Sequence, residues 1–184
     1  MNEGSSCNAR KYVVLVNEDG NNIGYKEKLK AHKDGDFHLA FSIFVFDRDN
    51  RLLLQRRQSN KYHSGGLWSN TCCSHPFALE GILSAGKRRL QEEMGFSCEL
   101  YNAFVKKYNV QCNNELHENE YNYVLFGQFD GVPEINVDEV QDWKWVSIDE
   151  LFFDLKNNGD VYTPWFSILL LDVIDSYKKL TGCR

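Results

Sequence analysis

The chain has 184 residues, of which 42% are hydrophobic and 26% are charged, and its net charge is −5. This size and composition are typical of one domain with its own apolar core. The acidic balance argues against a nucleic-acid-binding protein, which would present a basic face, and the lack of a run of about 18 apolar residues argues against membrane insertion. The six cysteines follow no regular spacing, so we expect reduced thiols and a cytoplasmic protein.

The predicted elements begin after a polar N-terminal segment without an apolar signal core. We expect residues 1–10 to be disordered and residues 11–184 to form a single domain. Residues 11–16 have the pattern of a short strand, and strong turn residues follow it. Residues 23–30 then indicate a second strand or an irregular segment that carries many lysines.

The next stretch predicts the centre of the fold. Residues 39–46 form a nearly continuous apolar run, which favours a central strand buried on both faces. Residues 52–54 indicate a second buried strand, and a polar loop is predicted over residues 58–70. Residues 82–94 have helical spacing, and Gly95 stands where a helix C-cap is expected.

The second half of the chain predicts more strands and two helices. The predicted strands are residues 98–110, 120–129 and 140–146. Ser147 and Glu150 have the spacing of a capping box for a short helix, and Pro164 is placed to open the last helix. Mixed strands with few helices predict an α/β sandwich around a mixed sheet.

A thiol and an imidazole lie two residues apart, at Cys73 and His75, on a segment that we expect to be extended. Side chains at this spacing point to the same side of a strand, which would place a proton-transfer group beside a possible metal ligand. The alternative interpretation is a buried cysteine pair, Cys72 and Cys73, next to a surface histidine.

Two pairs of glutamates are further candidates for chemistry. Glu92 and Glu93 come late in a predicted helix and could bind Mg²⁺ through one carboxylate, or they could form a solvated helix face. Glu118 and Glu120 share one face of a predicted strand. Like charges held close together raise the pKa of one partner or require a cation between them; the alternative is an ordinary acidic strand edge.

Histidines and basic residues complete the candidate set. Three imidazoles and two carboxylates would together suit Zn²⁺, Mn²⁺ or Fe²⁺ if the fold brings them together. This candidate set is His32, His38, His75, Glu118 and Glu120. We interpret His63 and His117 as surface residues. Phosphate oxygens are usually bound by lysine and arginine, and the candidates are Lys28, Arg57, Lys61 and Arg89.

Taken together, six motifs resemble those of the type 1 isopentenyl-diphosphate isomerases. In chain order they are AHKDGDFHLAFS, LLLQRR, LWSNTCCSHP, RRLQEEMG, HENE and TPW. The resemblance covers nearly the whole chain from Lys11 onward. It implies a Nudix-type α/β/α sandwich with a mixed β-sheet. It also implies an isomerase that interconverts isopentenyl and dimethylallyl diphosphate by protonation and deprotonation, in isoprenoid biosynthesis.

The predicted helix is similar to a Nudix box, G-x5-E-x7-R-E-U-x-E-E-x-G-U, with two departures. The residues that match the pattern are Glu80, Arg88, Leu90, Glu92, Glu93, Gly95 and Phe96. Ser74 replaces the first glycine, and Arg89 replaces a glutamate. Nudix hydrolases use the glutamate-rich set to activate water, so the loss of one carboxylate favours diphosphate binding without hydrolysis.

The resemblance implies a role for each matched position. The first divalent metal, Zn²⁺ or Mn²⁺, would be bound by His32, His38, His75, Glu118 and Glu120. Glu93, with the backbone of Cys73 nearby, would hold a Mg²⁺ that bridges to the diphosphate. The substrate contacts would be Lys28, Arg57, Lys61, Ser74 and Arg89, and the π face of Trp165 would stabilise a carbocation. The partner is a small prenyl diphosphate, and the enzyme is expected to be a monomer or weak dimer.

The catalytic pair implied by the resemblance is Cys73, rather than Cys72, with Glu120. Moving a double bond requires one group to add a proton and another to remove one. We assign Glu120 as donor and Cys73 as acceptor in the forward direction, with Tyr108 supporting the glutamate. Two alternatives remain at this point: a Nudix hydrolase, and a metal-bound binding module in which the cysteine and histidines are structural.

Overall fold

The computed structural model describes residues 11–112 and 115–182, so the expected disorder of residues 1–10 lies outside the described residues. The strands are β1 (Tyr12–Val16), β2 (Asn22–Glu27), β3 (His38–Phe46), β4 (Leu52–Arg57), β5 (Trp68–Ser69), β6 (Cys72–Ser74), β7 (Leu100–Gln111), β8 (His117–Gln128) and β9 (Val140–Val146). The helices are α1 (Lys28–Asp34), α2 (Ile82–Met94), α3 (Ile148–Asn158) and α4 (Pro164–Thr181). No helix among the described residues is long and apolar enough to cross a membrane.

The nine strands form one mixed sheet in which β3 is the central strand. β3 runs parallel to β8 and antiparallel to β1, β4 and β6. β7 extends the sheet beyond β8, and β9 extends it beyond β4. The apolar run at residues 39–46 therefore forms the central strand that its composition predicts, because a strand in this position is covered on both faces.

Alternate residues of β3 pack into two separate apolar layers. Phe44 and Phe46 face α4, where Phe166 and Tyr177 belong to the same core cluster. Phe41, Ile43 and Val45 face the other way, into a cluster with Ala85, Leu90 and Met94 of α2. Helices thus cover both faces of the sheet, and the predicted α/β/α sandwich with a mixed sheet is confirmed.

Three predicted helix boundaries are found where the local signals place them. α2 ends at Met94, and Gly95 adopts a left-handed φ of 73°. Glycine is required there for a second reason, because an added Cβ would lie 2.1 Å from the carbonyl oxygen of Glu134. Ser147 and Glu150 form the predicted capping box of α3, and Pro164 is the first residue of α4.

The prediction of a strand or irregular segment over residues 23–30 is wrong in its second half. The strand ends at Glu27, and α1 begins at Lys28. The Glu27 carboxylate accepts hydrogen bonds from the backbone N–H groups of Leu29 and Lys30 at 3.1 and 2.8 Å, so it satisfies the free donors of the first turn. A seven-residue helix is too short to show clear apolar periodicity, so its N-cap, Glu27, was the only local indication of α1 in the sequence.

Candidate active site

The first residues of β8 supply the acidic side chains of the site. Glu118, Glu120 and Asn122 alternate with outward-facing residues, and all three are buried. In the parallel register between β3 and β8, His38 lies opposite Glu120. The two predicted glutamates therefore share one face of the strand and meet a histidine from the central strand, which the sequence alone could not place.

Three histidines converge on this face from three different elements. His32 comes from α1, His38 from the start of β3, and His75 from the residue after β6. His32 and His38 donate Nδ1–H to the carbonyl oxygens of Lys28 and Asp36, at 2.6 and 2.8 Å. With Nδ1 occupied in this way, each Nε2 is directed at the cluster, where His38 Nε2 lies 3.1 Å from His75 Nε2.

The unsatisfied atoms of this cluster fit a divalent metal. Four side chains each place one potential metal-ligand atom within 4.8 Å of the others, and they are His32, His38, His75 and Glu118. His32 Nε2, His75 Nδ1 and Glu118 Oε2 are buried without a hydrogen-bond partner among the described residues, an arrangement that costs free energy unless a ligand is bound. Glu120 Oε1 lies beside the group, 3.6 Å from His75 Nε2.

Two of these histidines, His38 and His75, are held in the neutral form that metal binding needs. Burial lowers the pKa of His38 to about 4, and the neighbouring His32 adds to this effect. Burial likewise places the pKa of His75 well below its usual value, with Lys28 and His38 contributing. Near neutral pH both imidazoles therefore keep a lone pair available.

The two buried glutamates have pKa values shifted in opposite directions. Burial alone would raise the pKa of Glu118, but the neighbouring His32 and His63 outweigh this effect and hold the pKa well below its usual value. Burial and the charge of Glu118 raise the pKa of Glu120 well above its usual value. This is the behaviour expected of a close pair of carboxylates: one ionised, the other retaining its proton.

Two polar side chains hold the Glu120 carboxyl group. The Tyr108 hydroxyl donates to Glu120 Oε2, and burial keeps the pKa of Tyr108 well above 10, so it remains a donor. Asn122 Nδ2 also donates to Glu120 Oε2, at 2.7 Å, and to the Ser42 hydroxyl at 3.1 Å. Asn122 was missed at the sequence level, although it continues the period-two alternation of the two glutamates.

Cys73 and Cys72 point in opposite directions because they are neighbours on β6. The Cys72 side chain packs in the apolar cluster against α2, whereas the Cys73 thiol donates to Asn70 Oδ1 at 3.0 Å and lies 3.5 Å from the Ser42 hydroxyl. Burial raises the pKa of Cys73 to about 12, although both of these hydrogen bonds and Arg57 act against it. Cys73 is therefore the cysteine available to chemistry.

One cavity brings together most of the predicted site residues. Its lining includes Cys73, Glu120, Tyr108, Lys28, Arg57, Lys61, Ser74, Arg89, Trp165, His75, Glu118 and Glu93. His32 and His38 are completely buried and contact the cluster without lining the cavity. The guanidinium Nε atoms of Arg57 and Arg89 are buried and lack a hydrogen-bond partner within the described ranges, which favours an anion as the missing partner.

The residues of the box pattern pair with one another on α2. Arg88 makes a two-pronged ion pair with Glu80, at 2.7 and 2.8 Å. Arg89 bonds to Glu93 and to Glu92, and Gln55 donates to the second oxygen of Glu93 at 2.9 Å. Glu93 is buried and lines the cavity, so it can contribute lone pairs to a cation there, with Arg89 beside it.

The prediction that His63 is a surface residue is wrong. His63 is 3% exposed, and its Nε2 lies 2.9 Å from Glu118 Oε1. The loop over residues 58–70, predicted to be polar and irregular, folds inward and contains the short strand β5. The loop is polar but not exposed, because its polar groups bond to buried partners. Tyr62 of the same loop also lines the cavity and was missed. His117, the other histidine predicted to be a surface residue, is half-buried.

Comparisons with known proteins agree with this fold. The NUDIX domain model matches residues 36–166. The chain is 48% identical over 170 residues to isopentenyl-diphosphate Delta-isomerase 2 of Aromatoleum aromaticum, which covers 92% of this chain and 89% of that protein. It is 45% identical to the isopentenyl-diphosphate Delta-isomerase of Burkholderia multivorans, over 86% of this chain and 90% of that one.

Solved structures with low sequence identity share the fold. DR0079 from Deinococcus radiodurans superimposes with a TM-score of 0.67 at 13% identity, covering 80% of this chain and 90% of its own. A MutT protein from Methanosarcina mazei gives a TM-score of 0.55 at 17% identity, covering 64% and 81%. At these identities the likeness concerns the fold alone.

Proposed function

The chain belongs to the NUDIX domain family and, within it, to the isopentenyl-diphosphate Delta-isomerases, and on this basis we propose that it interconverts isopentenyl diphosphate and dimethylallyl diphosphate. The observation that carries the assignment to particular residues is that Cys73, which is half-buried, and Glu120, which is buried, line the same cavity. A cavity with two separate proton-transfer groups suits a reaction that adds one proton and removes another.

Glu120 is proposed as the donor in the forward direction. Its raised pKa keeps a proton on the carboxyl group, and Tyr108 and Asn122 fix the orientation of that group. Proton transfer to the terminal alkene carbon leaves a tertiary cation on the substrate. The π system of Trp165, which is buried and lines the cavity, would stabilise that cation.

Cys73 is proposed as the acceptor that removes the second proton and completes the allylic shift. The proton beside a tertiary cation is strongly acidic, and Cys73 would remove it in the thiolate form, although burial, which raises the pKa of the thiol to about 12, acts against that form. The positive charge of Arg57 favours formation of this thiolate. Asn70 and Ser42 hold the sulfur in place. After turnover in this direction the cysteine has gained a proton and the glutamate has lost one.

Two metal sites are proposed to support this chemistry. His32, His38, His75, Glu118 and Glu120 would hold Zn²⁺ or Mn²⁺, which would fix Glu120 and tune its acidity. Glu93, together with the backbone of Cys73, would hold a Mg²⁺ that bridges to the diphosphate. The diphosphate itself would contact Lys28, Arg57, Lys61, Ser74 and Arg89, all of which line the cavity.

Hydrolysis of the diphosphate is disfavoured by the charge at position 89. A hydrolase of this fold uses a carboxylate there to activate water, whereas this chain has Arg89, which forms ion pairs with Glu92 and Glu93. The other cationic side chains that line the cavity, Lys28, Arg57 and Lys61, favour binding of the diphosphate over its hydrolysis by water.

The direct test is an isomerase assay with Mg²⁺ and isopentenyl diphosphate on three variants. Cys73→Ser and Glu120→Gln are each expected to lose most of the rate, because each removes one of the two proton-transfer groups. Cys98→Ser is the matched control, since Cys98 is a free, partly buried thiol outside the cavity lining. Retained activity in the first two variants, or release of inorganic phosphate by the wild type, would contradict the proposal.

We also propose that the enzyme acts in the cytoplasm as a monomer or weak dimer. Support comes from the four described cysteines, Cys72, Cys73, Cys98 and Cys112, all of which are free thiols, as expected in a reducing compartment. Light scattering across a concentration range tests the assembly state.

A further inference from the structure

His63 connects two parts of the site through contacts in different directions. Its Nε2 lies 2.9 Å from Glu118 Oε1. Its ring meets the Trp165 ring edge-on, with centroids 5.6 Å apart and planes at 87°. Its backbone carbonyl accepts a hydrogen bond from Arg57 Nη2 at 3.3 Å. Two contacts of the imidazole and one of the backbone therefore connect His63 to Glu118, Trp165 and Arg57.

We propose that His63 is a positioning residue that fixes the Glu118 carboxylate for metal binding and the Trp165 ring for the substrate. This inference rests on the proposed metal-dependent isomerase function. His63 itself would contact neither the metal nor the reacting atoms; it would act through Glu118 and Trp165.

The geometry at Glu118 assigns a different neighbour to each carboxylate oxygen. Oε1 faces His63, whereas Oε2 lies 3.1 Å from His32 Nε2 and 3.9 Å from His38 Nε2. A donor on Oε1 prevents the carboxylate from rotating and keeps Oε2 directed at the three-histidine cluster. Hydrogen bonds of this kind to a ligating group commonly change metal affinity by about 10- to 100-fold.

The geometry at Trp165 restrains the ring from a second side. Trp165 Nε1 donates to the Ser69 hydroxyl at 3.1 Å, which fixes one edge of the indole. The perpendicular His63 ring blocks rotation towards the loop, and the Arg57 guanidinium lies 5.2 Å from the ring centroid. The aromatic surface that lines the cavity is therefore held by three neighbours.

The loop backbone accounts for the inward direction of His63. Ser64 adopts a left-handed φ of 51° and is itself buried. Gly65 packs so tightly that an added Cβ would lie 2.4 Å from the carbonyl oxygen of Ser59. The chain thus turns sharply after His63 and directs its side chain towards β8.

A competing possibility is that His63 is itself a metal ligand. A donor atom of Cys112 lies within 4.8 Å of donor atoms of His63 and Glu118. The hydrogen-bond distance between His63 and Glu118 favours the positioning role. An Nε2 atom that carries the proton donated to the carboxylate has no lone pair with which to bind an ion. The two roles differ in the number of metal ions bound.

The test compares Zn²⁺ affinity, measured by competition with a chromophoric chelator, in the wild type, His63→Ala and His63→Gln. The alanine variant is expected to bind Zn²⁺ about 10- to 100-fold more weakly. Glutamine keeps an N–H donor at a similar reach and is expected to recover most of the affinity. The alanine variant should also lose kcat at limiting metal more than at saturating metal.

His117→Ala is the matched control, since His117 precedes Glu118 on β8 and its side chain alternates to the other face. Unchanged Zn²⁺ affinity in both His63 variants would overturn the inference. Loss of a second equivalent of Zn²⁺ in His63→Ala and in Cys112→Ser would overturn it in favour of a ligand role. Normal Zn²⁺ binding without isomerase activity in the wild type would contradict the proposed function alone.

Discussion

Glu118 and Glu120 illustrate how two identical residues on one strand face acquire different roles. Glu118 is surrounded by imidazole nitrogens, which stabilise its negative charge. Glu120 is surrounded by the Tyr108 hydroxyl, the Asn122 amide and the charge of Glu118, and the last of these favours the protonated form. The alternation in the sequence predicts their proximity, but the division between metal ligand and proton carrier depends on these neighbours.

The hydrogen bond from Tyr108 to Glu120 gives a first prediction at the residue scale. Tyr108→Phe is expected to lower kcat by about 10- to 100-fold with little change in KM, because Glu120 becomes charged as it gives up its proton and one bond to a charged group contributes about 1.5–3 kcal/mol. Steady-state kinetics of the isomerase reaction measure this. Tyr101→Phe, on the same strand but partly exposed and outside the cavity, is the control; an equal loss in both variants would contradict the role.

Arg89 gives a second prediction at this scale. Arg89→Gln is expected to raise KM for the diphosphate by about 10-fold or more, because the loss of a buried charge-assisted contact costs at least 1.5 kcal/mol. The control is Arg48→Gln, which removes an exposed ion pair with Asp130 and should leave KM unchanged. An unchanged KM in Arg89→Gln would exclude contact between this residue and the diphosphate.

At the scale of elements, short segments do much of the positioning. The seven residues of α1 place Lys28 in the cavity and His32 in the metal cluster, one helical turn apart. The three residues of β6 place Cys73 opposite Ser42 of β3. Elements this short contribute little to the core, so their positions depend on caps and register and not on burial.

The capping box of α3 provides the prediction at the element scale. Ser147→Ala removes the acceptor for the backbone N–H of Glu150 and is expected to lower the free energy of unfolding by about 1 kcal/mol. Urea denaturation measures the change. Ser176→Ala, within α4, removes a similar hydroxyl without a cap and should be neutral; equal destabilisation would show that the box contributes nothing.

At the scale of the whole molecule, the site is formed where the sheet and the loops converge, and metal binding is expected to stabilise the entire fold. Three buried polar atoms of His32, His75 and Glu118 have no hydrogen-bond partner among the described residues. A metal that binds only the folded state stabilises it by about 2.7 kcal/mol at 100 times its Kd.

Chelation is therefore expected to lower Tm by about 5–10 °C, given about 2–4 °C per kcal/mol for a chain of this size. Differential scanning calorimetry with and without chelator measures this. Readdition of Zn²⁺ or Mn²⁺ should restore both Tm and isomerase activity. An unchanged Tm after removal of the metal, confirmed by elemental analysis, would exclude a metal in the histidine cluster.

Features that depend on neighbours along the chain could be predicted from the sequence. The apolar run of β3, the bounds of α2 with Gly95, the capping box and the first-turn proline of α4 are all local patterns, and all were predicted. The placement of Glu118 and Glu120 on one face follows from the two-residue repeat of a strand, whereas the choice of Cys73 over Cys72 rests on the resemblance to the isomerases.

Contacts between groups that are distant in the sequence depend on the tertiary structure and could not be predicted. The parallel pairing of β8 with β3 sets His38 against Glu120, and no local pattern specifies that register. The same applies to His63, whose polar loop predicted exposure but which is buried against Glu118. Burial of a polar residue depends on a partner far away in the sequence, because only that partner offsets the cost of removing it from water.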